Sequence, residues 1–108
     1  MPDRAPCINP RCRRTFKQEH DGQEVICGKC FRALPQALRL THRRCWREIR
    51  KWHRRILRTI DPLRARRMHV ILDRWGARLD ANWELIRKAV TAPEKPDGLD
   101  AFLEEMGL

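Results

Sequence analysis

The 108-residue sequence has no tyrosine, three phenylalanines and five glycines, and its hydrophobic residues are broken up throughout by charge. No apolar run approaches the ~20 residues that a membrane-spanning helix needs. The start lacks a charged stretch followed by an apolar signal region. These absences predict a soluble, cytoplasmic chain. There is no glycine-rich phosphate loop, no His-Glu-x-x-His and no carboxylate pair beside a histidine, so no catalytic constellation emerges and a non-enzyme is expected. Internal repeats and low-complexity tracts are absent too. Acidic residues are scarce where basic ones crowd: residues 32–67 hold thirteen Lys/Arg against only Glu48 and Asp61.

What is present begins with cysteine. Five is an odd count, and four of the five fall in two close pairs, Cys7-x4-Cys12 and Cys27-x2-Cys30. That spacing suits metal ligation better than a disulfide framework. Zinc takes four thiolates in a tetrahedron, and two pairs brought together by a turn supply them. One structural Zn2+ held by Cys7, Cys12, Cys27 and Cys30 is therefore expected; an iron–sulfur cluster suits a ribbon-like spacing less well. Four complete ligands leave no position for a catalytic water. His20, near a turn, and Cys45, on a helix face, are the possible substitutes, and a solvated histidine and a core cysteine are the simpler readings. Around the cysteines only Phe16, Val25, Ile26 and Phe31 are sizeable core candidates, so the metal would have to order this segment. Asp21-Gly22 is a type I′ turn signal, and its flanks are expected to pair as a short β-hairpin that brings Cys12 towards Cys27.

From Leu34 the pattern becomes helical. Pro35 suits a first helical position, and Leu38, Thr41, Cys45, Ile49, Trp52 and Ile56 recur at helical spacing, defining one face of a helix that ends near Arg58 or Thr59. Asp61-Pro62 reads as a cap followed by proline at the first position of a second helix. That helix carries Met68, Leu72, Trp75, Leu79, Trp83, Ile86 and Val90 on one face. Two arrangements fit: an antiparallel helical hairpin, or a rod kinked at Pro62 whose apolar faces pair between chains. A homodimer is expected from the exposed part of the stripes in either. Thr91 to Gly98 reads as a linker, and Leu99 to Met106 as a short acidic amphipathic helix. The predicted organisation is a metal-binding module over residues 1–33, two long amphipathic helices over 34–92, and a linker with an acidic tail over 93–108. The fold class is mainly α: a small zinc-ribbon-like module with a β-hairpin, followed by a long two-helix hairpin and a short C-terminal helix.

The first long helix carries Arg39, Arg43, Arg47, Arg50, Arg54 and Arg58 along one flank and Arg44, Lys51 and Arg55 along another, with His42 and His53 as further donors. Like charges at i, i+4 destabilise a helix by a few tenths of a kcal/mol each, so an uncompensated run points to an anionic partner. Nucleic acid, DNA or RNA, is the leading expectation, with Trp46 beside Arg43, Arg47 and Arg50 available for stacking. An acidic protein surface is the alternative.

Two resemblances accompany this reading. Residues 5–40 resemble a zinc ribbon or treble-clef finger. Cys27-Gly28-Lys29-Cys30 matches the usual knuckle, while Cys7-Ile8-Asn9-Pro10-Arg11-Cys12 departs from it by two extra residues. Leu34-Pro35 is expected to delay the helix past Cys30, which favours the ribbon variant. Residues 27–60, which include Cys30-Phe31-Arg32-Ala33-Leu34-Pro35-Gln36-Ala37-Leu38-Arg39, resemble small bacteriophage and prophage proteins. In those a knuckle leads through Cys-Trp-Arg-x-Leu/Val-Pro-x-x-Leu-Arg into a basic helix, and here Phe31 stands where Trp is common. The resemblance implies an accessory protein in a bacterial host cell and no particular activity. The expected function is non-catalytic binding of DNA or RNA through the basic helix; the alternative is docking on an acidic surface of a host protein or defence complex, which it would inhibit or redirect.

Overall fold

The computed structural model describes residues 4–92. The rest of the expected linker and the acidic helix Leu99–Met106 lie outside the described residues. The chain forms β1 (Arg4–Pro6), β2 (Thr15–Lys17), α1 (Gly28–Arg32), α2 (Gln36–Arg58) and α3 (Pro62–Thr91).

β1 and β2 pair antiparallel with Ala5 opposite Phe16, and Arg4 Nε donates to Thr15 Oγ1 at 2.8 Å. The hairpin thus encloses the first cysteine pair, whereas the turn signal at Asp21-Gly22 led to one between the two pairs. The reason is local. Within the Cys7–Cys12 loop, Cys12 N–H donates to Asn9 C=O and Cys7 N–H to Arg14 C=O, both at 2.9 Å, which throws the chain back on itself. A turn does form at His20–Gln23, where Gln23 N–H donates to His20 C=O at 3.3 Å. Gly22 has φ of 76°, but among the described residues no residue other than glycine has a positive φ, Asp21 included. A type I′ turn needs positive φ at both central positions, so this one does not carry the twist that paired flanks require. Val25 makes only an isolated parallel bridge to Cys7.

A second departure is α1. Cys27 caps it, its side chain accepting from Cys30 N–H, so a helical turn starts inside the knuckle instead of being delayed past Cys30. Pro35 then disfavours helical dihedrals at Leu34, and α2 begins one residue after Pro35.

α2 and α3 pack along their lengths as an antiparallel pair, so Pro62 starts a new helix and does not kink a rod. Asp61 caps α3, its Oδ1 accepting from Leu63 N–H at 3.1 Å, while Thr59 Oγ1 donates to Arg55 C=O at 2.7 Å and closes α2. The inward face of α2 holds Cys45, buried, with Leu38, Ile49, Trp52 and Ile56 half-buried. Thr41 points outward and His42 takes the inner position instead, one residue round the helix.

The base of the hairpin sits on the cysteine module. Leu34, Ile86 and Val90 are buried together, with Ile8, Ile26, Phe31, Leu38, Trp83 and Ala89 packed against them. Full burial of a side chain the size of Ile86 contributes about 1.5–3 kcal/mol. Asn82, buried in the helix pair, donates from Nδ2 to Leu38 C=O at 3.0 Å, which gives its buried amide a partner on the facing helix. Glu24 ties the loop to α3, accepting from Trp83 Nε1 at 3.2 Å and Arg87 Nε at 2.9 Å. The opposite end is bare, with Leu57, Ile60 and Leu63 exposed, Ile60 to 96%. Among the described residues no helix is long and apolar enough to cross a membrane.

Candidate metal centre

Cys7 lies just past β1 and Cys12 at the end of the turn that β1 and β2 enclose. Cys27 is the N-cap of α1 and Cys30 lies within it. Their four sulfurs all lie within 4.8 Å of one another. Cys12 Sγ and Cys27 Sγ are 3.7 Å apart. A tetrahedron with metal–sulfur distances of about 2.3 Å has sulfur–sulfur edges of about 3.8 Å, whereas a disulfide closes to about 2.05 Å. The spacing therefore fits four thiolates around a cation. Cys7, Cys27 and Cys30 are buried and Cys12 is half-buried.

The backbone is arranged for negative sulfur. Cys27 N–H donates to Cys7 Sγ, Cys30 N–H to Cys27 Sγ and Asn9 Nδ2 to Cys30 Sγ, each at 3.4 Å. Asn9 is itself held by Arg11 N–H donating to its Oδ1 at 3.0 Å, the short turn that Asn-Pro introduces into the first cysteine loop. The two knuckle thiols are pushed in opposite directions. The Cys30 N–H lowers the pKa of Cys27, while burial raises that of Cys30. A cation is what lets all four ionise together.

The group includes the four sequence-predicted ligands and, among the described residues, neither alternative. His20 is exposed in its turn, and Cys45 is buried in α2, where burial raises its thiol pKa. A metal ion can be held here by Cys7, Cys12, Cys27 and Cys30. Asn9 is the contributor that ligand spacing could not reveal; its only sequence signal is Asn-Pro inside the first loop.

The basic residues of α2 are placed as follows. Arg43, Arg44, Arg47, Arg50, Arg54, Arg55 and Arg58 are exposed. Arg39 is half-buried and donates from Nε to Leu34 C=O at 3.1 Å. Lys51 pairs with Glu48 at 2.7 Å. Trp46 is 40% exposed, its ring edge-on to His42 at 6.5 Å. His42 faces inward and not out with the arginines: its ring also meets Phe31 at 5.3 Å and Trp83 at 6.1 Å. Burial, and then the charge of Arg43, hold its pKa below the usual histidine value. Comparison with protein-family models, curated proteins and solved structures finds no match.

Proposed function

We propose that the chain is a non-catalytic zinc protein of the bacteriophage accessory type that binds nucleic acid through its helical hairpin. Zinc suits an all-thiolate set of tetrahedral size with no place left for substrate. Its role is structural: the cluster beside it consists of Cys7, Cys27 and Cys30 with Cys12, Phe16 and Ile26, too little apolar mass to hold the module alone. The observation that carries the partner is the charge of α2. Within this helix Glu48 is the sole acidic residue, and it is already bound to Lys51, so the exposed arginine row has nothing in its own helix to neutralise it. Condensed counterions released from a phosphate backbone supply the compensating free energy.

The test is a binding titration of the metal-loaded protein with duplex and single-stranded oligonucleotides across salt concentrations. Three to six phosphate contacts, roughly, give a log–log salt slope of about −3 to −5 on duplex DNA. Absence of binding at low salt overturns the nucleic-acid reading. An acidic protein surface then becomes the partner to seek, by capture from nuclease-treated host lysate.

A further inference from the structure

The arginines of α2 are not the whole basic surface. Trp75 of α3 lies half-buried on one side of the helix pair, with Arg78 from its own helix and Arg44 from α2 over the indole. Their guanidinium carbons lie 4.9 and 5.4 Å from the ring centroid. Two cations from different helices are thus held at most about 10 Å apart by one aromatic plate, attracted to the negative face of the ring. Both also act on the thiol of Cys45 beneath them. Neither draws an ion pair among the described residues; the nearby Glu48 is engaged by Lys51.

The pair is the centre of two rows. On α3, Arg67, Arg74 and Arg78 recur at spacings of 7 and 4 and are all exposed, which keeps them on one helical stripe. On α2, Arg44, Lys51 and Arg55 recur at the same spacings, Arg44 and Arg55 exposed and Lys51 half-buried and paired with Glu48. The helices run antiparallel, with Thr59 against Met68 and Leu38 against Asn82, so Arg55 falls across from Ile71, which lies between Arg67 and Arg74. On the same side Arg55 and Lys51 cover Trp52, at 4.9 and 5.4 Å from its centroid.

We propose that this broad face, with Arg44 and Arg78 fixed over Trp75 at its centre, is the seat of a phosphodiester backbone, which crosses from one helix to the other instead of following the outer ridge of α2. The inference rests on the nucleic-acid reading above and says where on the molecule that reading operates. The indole is capped by the guanidiniums, so it is not open to a base; the face grips phosphate and reads no sequence. Because the arginines are pre-positioned by stacking, less side-chain freedom is lost on binding than for a mobile lysine.

The experiment compares three metal-loaded proteins on a duplex oligonucleotide: wild type, Arg44→Gln/Arg78→Gln, and the control Arg13→Gln/Arg14→Gln. The two variants lose the same charge, and Arg13 and Arg14 are exposed residues of the cysteine module that belong to neither row. Loss of two phosphate contacts lowers the salt slope by about 1.8, so the affinity ratio between 50 and 200 mM salt shrinks about 12-fold. That shrinkage is expected for Arg44→Gln/Arg78→Gln and not for the control. Equal behaviour of the two variants overturns the proposal while leaving nucleic-acid binding standing; no binding by wild type removes both. A second readout is independent of folding in the variants. Modification of wild-type arginines by an α-dicarbonyl reagent, mapped by mass spectrometry, should be suppressed at Arg44 and Arg78 when oligonucleotide is added. Undiminished modification there in a saturated complex overturns the proposal.

Discussion

Stripping the metal should dissolve one end of this molecule and spare the other, and the structure says how far the damage travels. Ordered thiolate sites of this kind bind zinc with about 10–16 kcal/mol of apparent free energy at neutral pH, as much as a small domain's whole stability. The module has little to put in its place: apart from the cysteines, the cluster around the site contains only Phe16 and Ile26. Once it opens, Ile8, Ile26 and Phe31 leave Leu34, Ile86 and Val90 uncovered, and Glu24 releases Trp83 and Arg87. The helices contain 5, 23 and 30 residues. Loss of α1 together with fraying of α3 from Trp83 onward removes about a quarter of the helical signal, and the rest stays, held by the α2–α3 seam. The assay is far-ultraviolet circular dichroism with hydrogen exchange, with and without a chelator. Exchange should become fast over residues 4–33 and 83–91 and stay slow around Cys45. Cys27→Ser should mimic chelation, while Cys45→Ser should leave the metal content at one per chain. Equal protection of residues 4–33 with and without chelator would refute the reasoning, as would full metal retention by Cys27→Ser.

Two other outcomes follow from local features. Gly76 sits inside α3 with nothing within 4 Å of where a Cβ would stand. Gly76→Ala should therefore raise stability by about 0.8–1 kcal/mol, and a denaturant midpoint that does not rise would contradict the open space seen there. Glu24 has its pKa lowered, first by the hydrogen bond from Arg87 and then, after an opposing burial effect, by Trp83 and the charge of Arg87. A carboxyl lowered on folding stabilises above its unfolded pKa and loses that contribution as pH falls through the folded value. The tie between loop and α3 should weaken below about pH 4.5, the unperturbed value, and Glu24→Gln should abolish that part of the pH dependence. An unchanged acid limb in the Glu24→Gln unfolding profile would count against it.

Much of this was legible in the residues. The four cysteines that come together were identifiable because metal coordination, the reason to look for them, constrains spacing directly. The α2 and α3 faces followed from 3.6-residue periodicity, and the Asp61 cap from residue chemistry. What escaped depended on contacts distant in sequence. β1 is three residues ending at Pro6, with no alternation to announce it, and its pairing is imposed by the closed cysteine loop. His42 displaced Thr41 from the inner face because Phe31 and Trp83, from two other elements, form an aromatic wall there. The stripe Arg67, Arg74 and Arg78 carries a regular period, but nothing in one helix says that its neighbour will bring Arg44 to the same indole.

The helix pair also has a mechanical character. It is one layer thick, closed by a three-residue turn at one end and seated on the cysteine module at the other, like a fork whose handle is set in a clamp. Its radius of gyration is 17.4 Å, against about 13 Å for a compact chain of this length, so it is a lever rather than a ball. With both ends of the pair tied, the two helices lie side by side, which keeps Arg44 of one and Arg78 of the other over the same indole. The cysteine group that can hold a metal ion sits at the base of that lever, so what it anchors is the lever's footing, while the tip beyond Leu57 and Leu63 stays bare.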